Sequence, residues 1–275
     1  MHALEKKQIL VVGNDQYSRS AARLLRKCNA LVTERDGSGQ LTETDKFQLA
    51  VASPEVSSYA PIRQQLEKAG VPVISDLELG FQQSRCLTVA ISGTNGKSST
   101  SALIARVLGQ SGRQTAVAGY GATPICDLVE QSRDLDFLTV PVSVFQLQNV
   151  RFFRPSVAVL MNITHDHQDR FSSHADYVRA KAQLFANQQP FDWAIVQSEA
   201  WAQMKTLDIP MPGKVITFSA SNRRADIFLD RGLLISRIED WAGPLLDMSQ
   251  TQFRGPHAAE NLMAVLAVSR VLRLP

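Results

Sequence analysis

The chain has 275 residues, 44% apolar, 20% charged and 7% aromatic; this ordinary globular composition excludes a disordered, collagen-like or disulfide-scaffold protein. Lys plus Arg number 29 against 26 Asp plus Glu, and the basic residues are scattered, so no nucleic-acid track is expected. Cys28, Cys86 and Cys126 are odd in number, far apart and in no CxxC pair, which predicts neither a disulfide framework nor a thiolate metal site and fits a reducing compartment.

At the amino terminus, Lys6 and Lys7 precede an apolar stretch that stops at Gly13 and Asn14, too early for a signal-peptide core. No run approaches the roughly 18 apolar residues of a membrane helix. The reading is therefore a cytoplasmic protein without a membrane partner. A β-branched run at 8–13 predicts a first strand, and a helical pattern follows through Ala21, Ala22, Leu24 and Leu25. Strand-length runs at 30–33 and 47–52, a helix at 61–69 ending at Gly70, and a run at 71–74 continue an α/β alternation. Strands alternating with helices predict a parallel sheet with ligands at the carboxyl ends of its strands.

The pattern loosens near 80–85, where a domain boundary is expected, and a new strand at 87–92 starts a second βα unit. Further strands are expected at 115–118, 137–144, 156–161, 193–196 and 215–218, with helices at 98–110, 175–186 and 257–270. The mixed pattern of 225–248 suits an antiparallel ribbon.

The strongest chemical signal is LTVAISGTNGKSSTSALIARVL: an apolar strand, a turn of small residues, then a helix with good propensity. Gly93 and Gly96 let backbone N–H groups converge on phosphate oxygens without a Cβ in the way, and the helix turns its positive end toward the same anion. Across Gly93, Thr94, Asn95, Gly96, Lys97, Ser98 and Ser99, Lys97 adds a full charge and Ser98 a hydroxyl able to ligate Mg²⁺. A ligand-free glycine turn is the plain alternative, and the strand–turn–helix context speaks against it. The spacing departs from the general G-x-x-x-x-G-K-[ST] form, because Ile91 stands where the first Gly would be.

About 65 residues on, MNITHDHQDRF places Asn162, His165, Asp166, His167 and Asp169 after the run at 156–161. Imidazole nitrogens and carboxylate oxygens at a strand's carboxyl end can ligate a hard cation beside a triphosphate; a solvated His–Asp turn is the alternative.

GTNGKSST resembles the ATP loop of the Mur ligase superfamily, which joins amino acids to cell-wall precursors, and of its relative folylpolyglutamate synthetase. N-I-T-x-D-H-x-D-R, continued by YVRAKAQLF, resembles the branch that adds D-glutamate. VASPEV, GVPVISDLEL, SVFQL and RGPHAAEN follow in family order. The resemblance implies a Rossmann-like N-terminal domain at 1–83 for a uridine nucleotide precursor and a phosphate-loop ATPase-type central domain at 84–275 with a mostly parallel sheet. It implies ATP and Mg²⁺ as cofactors, His257 and Asn261 on the adenine side, and Ser143 and Gln146 toward the substrate. Lys181 becomes the counterpart of a lysine carbamylated by CO₂, so that Ser98, His167 and Lys181 form the metal set and Lys97, His167 and Lys181 the catalytic one. The implied reaction is ATP-dependent ligation of D-glutamate to UDP-N-acetylmuramoyl-L-alanine through an acyl phosphate.

Several positions depart from the pattern. Asp15 and Ser18 stand where the family's first turn has small glycines, Tyr120 replaces an Asn, and Ala258 replaces the first Asn of H-N-x-x-N. Pro141 replaces a glutamate that ligates Mg²⁺, and His165 stands at the position of a second glutamate. The carboxyl-terminal ligase domain is expected to be absent, since the chain stops at Pro275 where it would begin. These departures suit the alternative of a degenerate homologue that binds nucleotide or wall precursor without ligating. A nicotinamide dehydrogenase is set aside for want of G-x-G-x-x-G after the first strand, and oligomeric state is not indicated.

Overall fold

A computed structural model describes residues 4–42, 46–166 and 169–274. The chain divides into two units, one comprising 1–86 with 118–134 and 142–153, the other 87–117, 135–141 and 154–275.

The first unit is built on four parallel strands, β1 (Gln8–Val12), β2 (Leu31–Arg35), β3 (Leu49–Ala52) and β4 (Val73–Ser75), in the order β2-β1-β3-β4. Ile9 to Val12 are all buried, which is why β1 reads as a continuous apolar run and not as an alternation. Helix α1 (Gln16–Lys27) buries Tyr17, Ala21, Ala22, Leu24 and Leu25 on one stripe. Helix α2 (Pro61–Lys68) opens with Pro at its first position, where no N–H is needed. Its Ile62 and Leu66 join Leu10, Val12, Ala50 and Val71 in one core.

Helix α3 (Asp76–Gln83) starts directly from β4, with Ser75 Oγ accepting from Glu78 N at 3.2 Å. Its apolar pattern is short and interrupted, and the loosening expected near residue 80 falls inside it. The segments 118–134 and 142–153 supply two 3₁₀ turns, at Ile125–Asp127 and Gln131–Arg133, and the short helix α5 (Val144–Leu147). Glu78, wholly buried, accepts from the amides of Arg151, Phe152 and Phe153, each at 2.9 Å.

The second unit carries nine strands: β5 (Leu87–Ser92), β6 (Thr115–Val117), β7 (Phe137–Pro141), β8 (Val157–Leu160), β9 (Trp193–Gln197), β10 (Lys214–Ser219), β11 (Ile227–Asp230), β12 (Leu233–Ser236) and β13 (Gly243–Asp247). Their order is β13-β12-β11-β10-β9-β8-β5-β7-β6. Pairing is parallel from β6 to β11 and antiparallel from β11 to β13, so 225–248 contains the ribbon its mixed pattern suggests. The helices are α4 (Lys97–Gln110), α6 (His174–Ala182), α7 (Ser198–Thr206) and α8 (Pro256–Val271), with α5 (Val144–Leu147) belonging to the first unit. Helices α4 and α8 pack together through Ile104, Leu108, Met263, Ala264 and Val268 over Val89, Ile91 and Val159 of the sheet.

Two expected elements are shorter than read by three residues or more. The strand expected at 137–144 ends at Pro141, because Ser143 caps α5 with Oγ accepting from Phe145 N. The helix expected at 175–186 stops at Ala182, where tighter bonds from Leu184 N to Lys181 O and Phe185 N to Ala182 O take over. Among the described residues no helix is long and apolar enough to cross a membrane.

β5 and β8 are neighbours, and the chain leaves them in opposite directions, from β5 toward β6 at one edge and from β8 toward β9 on the other side. Such a reversal opens a crevice at the carboxyl ends of the strands, the usual ligand position in open α/β sheets.

Candidate nucleotide-binding site

The loop after β5 lies at that crevice. Gly96, at φ +88°, is the N-cap of α4, and no side chain caps this helix end. The amides of its first turn are thus left without the side-chain acceptor that a Ser or Asp cap would provide, and the positive end of the helix dipole points the same way. Gly93 is packed so closely that an added Cβ would meet Met161 Cβ at 2.9 Å and the Asn95 carbonyl at 3.0 Å.

The loop is held from β8 by Asn162. Its Oδ1 accepts from Asn95 N at 2.9 Å, its Nδ2 donates to Asn95 O at 3.2 Å, and its own carbonyl accepts from Thr94 N at 3.2 Å. Thr94 Oγ1 also accepts from Thr164 N at 3.1 Å and lies 3.1 Å from Tyr177 Oη. Asn261 reaches the same turn from α8: Thr100 Oγ1 donates to its Oδ1 at 3.2 Å, and that oxygen lies 3.1 Å from where a Gly96 Cβ would be. The residues expected from sequence at the loop are therefore gathered with Asn261. His257, one turn earlier on α8, is exposed.

Lys97 folds back over its own loop, Nζ donating to the carbonyls of Gly93 at 2.8 Å and Thr94 at 3.0 Å. Burial holds its amine below the usual lysine range, and the Asp166 carboxylate opposes that shift. Ser98 and Ser99 are exposed on the first turn of α4.

Lys181, only 2% exposed, stands with Nζ 4.8 Å from the centre of the Tyr177 ring. Burial and then the Lys97 charge push its amine down to about 7, against the pull of Asp166. Burial pushes the Tyr177 phenol up to about 12. Lys97, Asp166, Tyr177 and Lys181 thus form one electrostatic group. His167 lies outside the described residues. His165 stacks on His174 with ring centres 4.4 Å apart, and His174 Nε2 is 2.8 Å from Gln203 Oε1. These rings line a cavity of about 340 Å³ with Asp166, Phe171 and Tyr177.

Ser143 and Gln146 belong to the first unit. Gln146 is wholly buried, its Oε1 accepting from Ser143 N and its Nε2 donating to both carboxylate oxygens of Asp76 at 3.1 and 3.0 Å. Burial raises the Asp76 carboxyl to about 7. Pro141, the last residue of β7, pairs with Ile91 and offers no metal-binding group. Tyr177, Thr100 and Gln203 also contribute to the site region; Tyr177 sits in the matching YVRAK segment and Thr100 closes the GTNGKSST turn, whereas Gln203 carries no sequence signal.

Residues 91–269 match the Mur ligase middle domain. A UDP-N-acetylmuramoylalanine–D-glutamate ligase of Acidobacterium capsulatum is 31% identical over 98% of this chain and 64% of that protein. One of Geotalea daltonii is 33% identical over 96% of this chain and 63% of that protein. The chain thus spans less than two thirds of the length of either relative. In fold, it is similar to the crystal structure of UDP-N-acetylmuramate:L-alanyl-gamma-D-glutamyl-meso-diaminopimelate ligase from Neisseria meningitides, with TM-score 0.57, 17% identity, and coverage of 97% of this chain and 94% of that one. With a glycine-rich turn at the sheet's reversal point and a family match over residues 91–269, the chain belongs to the Mur ligase family.

Proposed function

We propose that the second unit binds ATP with its phosphates over Gly93–Ser99 and that the chain serves ATP-dependent ligation of D-glutamate to a UDP-N-acetylmuramoyl-L-alanine precursor. The single observation that carries the nucleotide reading is the start of α4: a glycine N-cap at φ +88° with no capping side chain, followed by a half-buried lysine. Main-chain amides and one ammonium then converge where a triphosphate's charge would lie. The identity to D-glutamate ligases over nearly the whole chain supports the substrate assignment.

Mg²⁺ fits this donor set. Among the described residues no group of three His, Cys, Asp or Glu side chains is placed to hold a metal ion. Mg²⁺ does not need such a cage, because it commonly takes one or two protein oxygens together with substrate phosphates. Ser98 and Asp166 would supply those oxygens, and the ion would draw off phosphate charge during acyl phosphate formation. Lys97 neutralises the transferring phosphoryl group, while Asn162 and Thr94 keep the loop in position for it.

Lys181 suits carbamylation. With its amine lowered to about 7, a large fraction is neutral at physiological pH, and a neutral amine is the form that attacks CO₂ and then releases a proton. The product is an anion beside Lys97 and near Asp166, which together with His167 would complete the site's ligands. His257 and Asn261 belong to the adenine side, and Ser143 and Gln146 to the precursor side, of this reading.

The test is calorimetric titration with ADP and Mg²⁺, followed by an assay of ATP, precursor and D-glutamate for phosphate release. Saturable Mg²⁺-dependent binding and D-glutamate-dependent phosphate release are expected. Absence of nucleotide binding refutes the site, and binding without D-glutamate-dependent release refutes the ligation.

A further inference from the structure

The two units open with the same device, a strand that turns directly into a helix, and they cap that helix in opposite ways. In the second unit the cap is Gly96 and the amides meet no side chain. In the first it is Asp15, whose Oδ1 accepts from Tyr17 N at 2.8 Å and Ser18 N at 3.0 Å while Ser18 Oγ accepts from Asp15 N at 3.0 Å. A carboxylate at a helix N-terminus occupies the place where a bound phosphate would be held.

The carboxylate is fixed there. Ser53 Oγ, at the end of β3, donates to its other oxygen, and a Cβ on Gly13 would meet Ser53 Cβ at 2.7 Å, so the turn and the end of β3 are in direct contact. Beyond them Tyr17 stacks on Tyr120 with ring centres 5.7 Å apart, Tyr17 Oη accepts from Gly121 N at 2.9 Å, and Tyr120 Oη donates to Glu55 at 3.3 Å. The ends of all four strands are followed within three residues by an acid: Asp15, Asp36, Glu55 and Asp76. The cations beside the turn are engaged with main chain, Arg19 with the carbonyls of Asn14 and Asp15, and Arg35 with that of Glu34.

We propose that Asp15 is a specificity determinant: its carboxylate fills the anion seat of the first turn, so the first unit engages its ligand without a diphosphate at that position. The inference rests on reading the chain as a relative of enzymes that act on a uridine-linked precursor, and it sets this chain apart from a generic nucleotide cradle. Recognition of the precursor then runs through its uncharged or acyl portions, and free nucleoside diphosphate is a poor ligand for this unit.

The probe is uridine 5′-diphosphate, titrated calorimetrically in the presence of saturating ADP and Mg²⁺ so that the second-unit loop makes no contribution. The wild-type chain should give no saturable heat to about 1 mM, whereas Asp15→Gly, which empties the seat, should gain at least about tenfold in affinity. Asp15→Asn keeps the cap and removes the charge; it should gain less than the glycine variant but remain distinguishable from wild type, and it carries the test if the glycine variant does not fold. Binding of the diphosphate by wild type as tightly as by Asp15→Gly overturns the proposal. So does silence in every folded variant. Failure of ADP to bind would count against the nucleotide reading of the second unit and leave this comparison intact when run without ADP.

Discussion

Replacing Lys97 by Ala isolates the cation at the centre of the proposed nucleotide site. Its Nζ donates two hydrogen bonds to loop carbonyls, at 2.8 and 3.0 Å, and these donors would turn to phosphate oxygens when a nucleotide enters. A hydrogen bond to a charged group is worth about 1.5–3 kcal/mol. Two such bonds, less those given up to the carbonyls and with burial already weakening the ammonium, leave about 3 kcal/mol. At ~1.4 kcal/mol per tenfold change, that is a loss of roughly 150-fold in affinity for ADP with Mg²⁺. Isothermal titration calorimetry at two ionic strengths measures it, and the wild-type affinity should fall more steeply with salt than that of the variant. The variant loses the lysine's bonds to the Gly93 and Thr94 carbonyls, but the bonds from Asn162 and Thr164 that hold the loop remain, so stability to urea should fall by no more than about 1–2 kcal/mol. An affinity within threefold of wild type, in a folded variant, would refute the placement of the phosphates.

Gly93→Ala should lose about 1–3 kcal/mol of stability in urea unfolding, since the new methyl meets the Met161 Cβ and a main-chain carbonyl instead of a flexible side-chain end; unchanged stability would mean the loop relaxes freely. Glu78→Gln should cost about 2–4 kcal/mol by the same measurement, because one of the oxygens that gather the amides of Arg151, Phe152 and Phe153 becomes a donor facing them. Asp76 is raised from 3.8 to about 7 in the folded chain, so between those values the folded state holds a proton that the unfolded state has released. Stability therefore falls as pH rises from about 4 to about 7, by up to ~1.4 kcal/mol per pH unit. Asp76→Asn should flatten that fall and be more stable than wild type at pH 8, an outcome read from urea midpoints at pH 5 and pH 8.

The turn between β5 and α4 was legible because three signals coincide: an apolar strand, glycines at the turn, and a helix opening on Lys97. The anchors that shape it were legible only in part. Asn162 stands in the quoted motif, yet its reciprocal bonds to Asn95 depend on β8 lying beside β5, which strand order decides and local pattern does not. Helix α7 has a weakly segregated apolar face, with Ala200 and Met204 as its buried residues, and so gave no periodic signal. Helix α3 escaped notice because its buried positions include Asp76 and Glu78, acids that a pattern reading assigns to solvent. They are tolerated inside because Gln146 and the amides of 151–153 satisfy them, partners some 70 residues away in sequence. The overlong strand at 137–144 has a related cause: Val142 and Val144 are buried, but Val144 packs as part of a helix.

The partners of those two acids also bear on how the chain comes off the ribosome. Glu78 is met by amides as far along as Phe153, and Asp76 by Gln146, so a nascent chain ending at residue 86 has Gln82 to donate to Glu78 but lacks the later partners of both acids. Vectorial synthesis must run on through β5, α4, β6 and β7 before the N-terminal unit can close. A gene fragment cut after residue 86 would stall at that incomplete stage, whereas one extended beyond Phe153 would contain every segment of the unit.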